Sequence, residues 1–243
     1  MKIILPLAII SACLSTPIFG HEGHEDQKTQ IGIEAVTGYR SDYVYRGFEL
    51  AENTLDFQIE GQIALNDYTL LNLGAWYAQE SGSSGYHEAA FFTQLRYEKT
   101  DQLTLGLSAT YRSFSNAKPP LSVAFNDGVD LGVFTTWHFS HDLNSTVGAY
   151  YDTGADGWYS NLEVEWSRIL SDNAFMTVMS GVSHVSDYYG RSGLNDIYGR
   201  ISLTYHISDS VSITPYLGGS ALLDSSDPGS DKAFSGVWFE VRF

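Results

Sequence analysis

Alternation is the property that most narrows what this chain can become. After residue 30, apolar side chains recur at every second position, stretch after stretch. Leu103, Leu105, Leu107, Ala109 and Tyr111 interleave with Thr104, Gly106, Ser108, Thr110 and Arg112. Leu55, Phe57, Ile59, Gly61, Ile63 and Leu65 do the same against Asp56, Gln58, Glu60, Gln62 and Ala64. Leu162, Val164 and Trp166 alternate with Asn161, Glu163 and Glu165, and Ile201, Leu203, Tyr205 and Ile207 with Arg200, Ser202, Thr204 and His206. A period of two is strand, with one face in oil and the other wet. In a soluble sandwich the oily face is the core. In a membrane barrel it meets lipid, and the polar face lines the interior.

Segment length separates these cases. Candidate strands fall near 31–47, 54–66, 69–79, 86–99, 103–115, 124–140, 143–153, 157–170, 174–189, 194–207, 211–223 and 232–243. Most reach the roughly 9–11 residues of a tilted membrane crossing, whereas soluble strands usually run about 5–6. The connections alternate too. Short polar turns at Asn66-Asp67, Thr100-Asp101-Gln102, His141-Asp142, Ser171-Asp172-Asn173 and Asp209-Ser210 trade places with mostly longer links at 48–53, 80–85, 116–123, 154–156, 190–193 and 224–231. The expected fold is all-β, a transmembrane antiparallel up-and-down barrel of about twelve strands. The short turns and both termini then face the periplasm of a Gram-negative cell, and the longer links face outward. Residues 31–243 form this one domain.

The N-terminus agrees with export. Lys2, an apolar run over residues 3–14 and a small-residue tail to Gly20 make a signal peptide over residues 1–20. Cleavage after Gly20 is the primary reading, and lipidation at Cys13, within Ile10-Ser11-Ala12-Cys13, is the alternative. Cleavage after Gly20 would leave no cysteine and so no internal disulfide. Residues 21–30, with His21, His24 and three acids, read as a flexible periplasmic leader rather than a metal site. No later run approaches the roughly 18 apolar residues of a spanning helix.

The interior parity carries both signs of charge: Glu34, Arg40, Asp42, Arg46, Asp56, Glu60, Glu88, Arg96, Glu98, Arg112, Asp130, Glu163, Glu165, Arg200, Glu240 and Arg242. Such charges either cross-link the lumen or stay wet and set a field for passing solutes. A barrel of this size permits a narrow pore for small hydrophilic solutes without requiring one. No link is long enough to suggest a large plug, and 116–123, with Pro119-Pro120, reads as a stiff surface loop. A non-conducting structural or surface-binding barrel is the alternative. A lipid hydrolase is a weaker one: His184 and Ser186 lie two apart on one strand, too far for direct proton transfer, with Asp187 beside them. The chain carries no phosphate loop, zinc spacing or dinucleotide signature, so no enzyme activity and no cofactor is expected. A net charge of -16 argues against nucleic acid as a partner.

The most distinctive stretch is Gly38-Tyr39-Arg40-Ser41-Asp42-Tyr43-Val44-Tyr45-Arg46-Gly47. With Ser41, Asp42, Tyr43, Arg46 and Gly47 at the matching positions, it resembles the opening of the TorF family of outer-membrane porins. Gly74-Ala75-Trp76 is similar to that family's glycine-tryptophan strand, and Phe243 resembles the terminal assembly signal of outer-membrane barrels. The chain departs from the family at Phe48-Glu49-Leu50-Ala51. The resemblance implies a porin set among outer-membrane lipids and lipopolysaccharide and inserted by the barrel assembly machinery through its last strand. On parity alone, Arg40, Asp42 and Arg46 form a ladder that either locks the first strand or narrows the pore, with Gly47 opening the first outer loop. Arg96, Arg112, Glu163, Glu165 and Arg200 are further lumen candidates.

Overall fold

The alternating segments close into one sheet. The computed structural model describes residues 31–82, 85–116, 125–224 and 231–243. The expected signal peptide and leader, and most of the link at 116–123, lie outside the described residues. The strands are β1 (Ile31–Tyr45), β2 (Phe48–Asn66), β3 (Thr69–Glu80), β4 (His87–Thr100), β5 (Leu103–Ser115), β6 (Gly128–His138), β7 (Leu143–Asp152), β8 (Gly157–Ser171), β9 (Ala174–Tyr188), β10 (Arg191–Ser208), β11 (Val211–Leu222) and β12 (Lys232–Arg242). Each pairs antiparallel with its sequence neighbours, and β1 pairs with β12. Hydrocarbon demands this closure, because an open edge there would leave backbone groups without partners.

The two parities have opposite fates. Phe57, Ile59, Leu107, Val133 and Leu217 point outward and are more than half exposed. A band of this kind exceeds what a soluble surface tolerates and matches a lipid-facing wall. Exposed aromatics fringe it at both ends: Tyr39, Tyr77, Tyr111 and Trp158 near the longer links, and Tyr68, Tyr97, Trp137, Phe139 and Phe243 near the short turns. They are placed like the aromatic girdles of membrane barrels. The inward parity pairs hydroxyls across strands, as in Thr136–Thr146 at 2.8 Å, Ser167–Thr177 at 3.1 Å and Thr204–Thr214 at 2.9 Å. Such pairs tie neighbouring strands while keeping the inner wall polar.

The β1–β2 connection departs from expectation. Only Arg46 and Gly47 form the turn, with φ of 50° and 80°, the signature of a type I′ hairpin. Pairing of β1 with β12 stops at Arg40, and pairing of β2 with β3 starts at Thr54. Between them, residues 42–52 ladder only with each other, and the Asn53 carbonyl accepts from the Ser81 amide at 2.8 Å. The register slips between Tyr43 and Val44, and Asn53 turns the chain at φ 49°. The buried side switches at the tip: Tyr43 and Tyr45 are 1% and 2% exposed, and Phe48, Leu50 and Ala51 are sealed on β2. Two expectations are thereby corrected: residues 48–53 are strand rather than an outer loop, and Arg40, Asp42 and Arg46 form no ladder. The lumen, where no large loop plug is expected, receives the tip of the first hairpin.

Candidate functional site: a hairpin latched across the lumen

The tip reaches the far wall through Arg46. In a ring of twelve strands, β6 to β9 lie opposite β1 and β2. Arg46 Nη2 lies 2.5 Å from Asp130 Oδ2 on β6. Its Nη1 donates to Tyr188 Oη on β9 at 2.9 Å and lies 3.9 Å from Asp152 Oδ2 on β7. Tyr188 Oη in turn donates to Asp152 at 3.0 Å. Four rings surround the guanidinium carbon, Tyr159 at 4.3 Å, Tyr45 at 5.1 Å, Tyr150 at 5.3 Å and Tyr188 at 5.4 Å. Each is within the range at which a ring face attracts a cation. Tyr150 fits there because its partner across the strands is Gly132, where a Cβ would strike the ring.

The turn backbone has its own receptor. Asn195 Nδ2 donates to the Arg46 carbonyl at 3.1 Å, and Arg191 Nη2 to the Gly47 carbonyl at 3.3 Å. Arg191 is held by Asn195 Oδ1 at 2.8 Å and stacks over Phe48, its guanidinium carbon 3.6 Å from the ring centre. Asn195 and the adjacent Asp196 are both buried because irregular register between β9 and β10 turns successive residues inward. Gly47 completes the fit. Its φ suits glycine, and a Cβ there would stand 2.9 Å from Arg191 Nη1.

Rings fill the remaining gap. Tyr43 meets Trp76 and Tyr86, with ring centres 5.5 and 6.1 Å away. Arg40, ion-paired to Asp56, lies over Tyr43 at 4.8 Å. Tyr45 sits between Arg46 and Arg112, and Arg112 pairs with Glu88 at 2.7 Å. Phe48 contacts Phe125, Tyr188 and Tyr189. Among the described residues, the Tyr43 and Tyr45 hydroxyls are buried with no hydrogen-bond partner.

The structure thus gathers Arg40, Tyr43, Arg46, Gly47 and Arg112 at the hairpin. Ser41 stays at the wall, donating to Asp42 at 2.8 Å and accepting from the Ser235 amide at 3.0 Å. Asp42 lies with Glu49 and Glu52, their carboxylates within 4.8 Å of one another, and Glu49 is already countered by Lys232 at 2.8 Å. That oxygen set has the chemistry of a hard-cation ligand group, but the geometry assigns it none. The other candidates belong to the barrel wall. Arg96 donates to Asn72 at 2.9 Å, Glu163 accepts from Tyr198 at 2.7 Å, Glu165 accepts from Asn144 at 3.3 Å, and Arg200 lies over Trp238 at 4.9 Å. Asp152, Tyr188, Arg191 and Asn195 are latch contacts that alternation could not single out. The tyrosines of β7 to β9 are a hint of the first two.

No protein-family model and no curated protein sequence matches the chain. Solved barrels match its shape. The KdgM porin superposes with a TM-score of 0.56 at 10% identity, covering 87% of this chain and 99% of that one. The NanC porin gives 0.54 at 9% identity, covering 86% and 98%. LpxR from Salmonella typhimurium gives 0.56 at 9% identity, covering 86% and 99%. The chain therefore has the fold of outer-membrane barrels, porins among them. At these identities the likeness is one of fold, and function has to be argued from the site.

Proposed function

We propose that this chain is a porin-like outer-membrane channel for passive diffusion of small hydrophilic solutes, barred in this conformation by its own first hairpin. One observation carries the reading: the bar is held by side-chain ion pairs and stacked rings, without strand pairing to the wall. Contacts of that kind can be exchanged for water without unfolding the barrel. The unpaired Tyr43 and Tyr45 hydroxyls favour the exchange, since burying an unsatisfied hydroxyl costs about 1–3 kcal/mol. In this reading both termini are periplasmic and the hairpin closes the outer mouth, within a wall of outer-membrane lipids and lipopolysaccharide. The strand ending at Phe243 directs assembly, and the chain catalyses nothing. Tyr43, Arg46 and Gly47 of the motif that resembles the TorF family are then parts of the gate.

A second reading, a non-conducting structural barrel, is favoured by the aromatic cluster of Tyr43, Tyr45, Phe48, Tyr86, Tyr159 and Tyr188, all almost fully buried. Planar-bilayer conductance separates the two. Wild-type protein should show rare openings and Arg46→Gly frequent ones, with matching uptake of small solutes into liposomes. Silence from both proteins, once folding is verified, would leave the structural reading standing.

A further inference from the structure

The pocket that receives Arg46 has the parts of a cation-recognition site. Two carboxylates, Asp130 and Asp152, and three tyrosine rings of the opposite wall converge on one guanidinium. The wall supplies all of these groups independently of the hairpin. Tyr188 is oriented by its bond to Asp152, and Asp152 Oδ1 is anchored by the amides of Gly154 and Ala155 at 2.8 and 3.3 Å. Withdrawing the hairpin removes Arg46 and Tyr45 and leaves the remaining cage intact.

Arg46 also fits this cage incompletely. It approaches Asp130 through Oδ2, and Asp130 Oδ1 is buried without a hydrogen-bond partner among the described residues. A carboxylate can accept a guanidinium through both oxygens at once. Arg46 is also held in a turn at φ 50°, a region disfavoured for a residue with a Cβ. A free guanidinium cation has neither constraint.

We propose that Asp130, Asp152, Tyr150, Tyr159 and Tyr188 form a binding site for guanidinium-bearing solutes, and that Arg46 is its built-in competitor. A solute with an arginine-like head occupies the cage when the hairpin leaves, and so holds the lumen open. The planar cation is preferred over an ammonium because it can stack on rings while donating in its own plane. The open-lumen consequence rests on the channel reading, but the binding claim does not. In the wild type, a tethered side chain competes at an effective concentration of about millimolar or above. Binding should therefore be weak until Arg46 is removed.

The test is binding of methylguanidinium chloride to folded Arg46→Gly barrel in detergent micelles, followed by tyrosine fluorescence and by thermal unfolding. Methylammonium chloride at equal ionic strength is the control. Methylguanidinium should saturate the variant at a concentration at least about tenfold below that needed for wild type. It should also raise the unfolding midpoint, with methylammonium doing neither. Adding Asp130→Asn and Asp152→Asn to the variant should abolish the difference between the two cations. If Arg46→Gly does not fold, the uncharged Arg46→Asn, which gives the two-residue turn its favoured Asn-Gly pair, takes its place with the same expectation. Equal responses to both cations, or a response that survives loss of both carboxylates, would overturn the proposal. Because these readouts involve no conductance, failure here leaves the channel reading open, and a silent bilayer leaves the site open.

Discussion

The two ends of the lumen use the same residue types in opposite ways. At the hairpin end, the partners in Arg46–Asp130 and Arg112–Glu88 keep at most 13% of their side-chain surface. At the end carrying the termini, Arg242 and Glu34 pair at 3.3 Å, and each keeps 29%. Water screens the second kind of pair, and such pairs are worth about 0–1 kcal/mol. A buried pair gives little net stability when intact, yet losing one partner costs about 3–5 kcal/mol because the other charge is stranded. The first kind of pair therefore fastens the hairpin, whereas the Arg242–Glu34 pair stays in contact with water. The two ends should answer mutation very differently.

The sharpest way to break this contrast is Arg46→Gly. It strands Asp130 and Asp152 while relieving the left-handed strain at the turn. A loss of about 3 kcal/mol from the closed state shifts the closed-to-open ratio by more than about a hundredfold, at about 1.4 kcal/mol per decade. Single-channel recordings should show that gain in open probability, while strand content by circular dichroism stays unchanged. An unchanged opening frequency would mean that the hairpin is not held by its latch.

Gly47→Ala should come next. Its side chain must adopt a left-handed φ of 80° and crowd the buried Arg191, disturbing the bonds that hold the turn. The conformational term alone is about 1–2 kcal/mol. Open probability should rise by about tenfold, less than for Arg46→Gly, because the cage keeps its cation. Tyr45→Phe should act with the opposite sign. It keeps the ring between Arg46 and Arg112 and deletes a buried hydroxyl that has no partner among the described residues. Relief of that penalty, about 1 kcal/mol, should make openings rarer than in wild type. A rise in openings would show that the hydroxyl helps to hold the tip.

The same contrast explains what was legible in the sequence. Strands flanked by lipid must alternate, so the segment at 103–115 and β5 share both ends. The hairpin tip obeys no such rule, because it is wrapped by protein on both faces. Phe48-Glu49-Leu50 alternates for three residues only before Ala51 and Asn53 interrupt it, and so resembled a loop. The inward parity also switches between Arg40 and Tyr43, ahead of the register slip that follows Tyr43, so even spacing misplaced the tip. A signal was present in Tyr45-Arg46-Gly47-Phe48, a glycine-bearing two-residue turn between aromatic strand formers. The partners of Arg46 were out of reach of pattern reading. Asp130 and Asp152 are ordinary inward acids until the ring closes and sets β6 and β7 opposite the tip.

The smallest effect belongs at the other end and is as informative as the largest. Glu34→Gln removes the exposed partner of Arg242, which also contacts Glu240 at 2.5 Å. Arg242 therefore keeps a carboxylate, and Glu240 loses a like-charged neighbour. The lost attraction and the relieved repulsion largely offset each other, leaving a change within about 1 kcal/mol of zero. The unfolding midpoint in micelles should stay near wild type, and the opening frequency should not move at all, since the substitution touches nothing in the latch. A change in gating from this position would mean that the two ends communicate through the wall, and the lumen would then have to be treated as one coupled charge network.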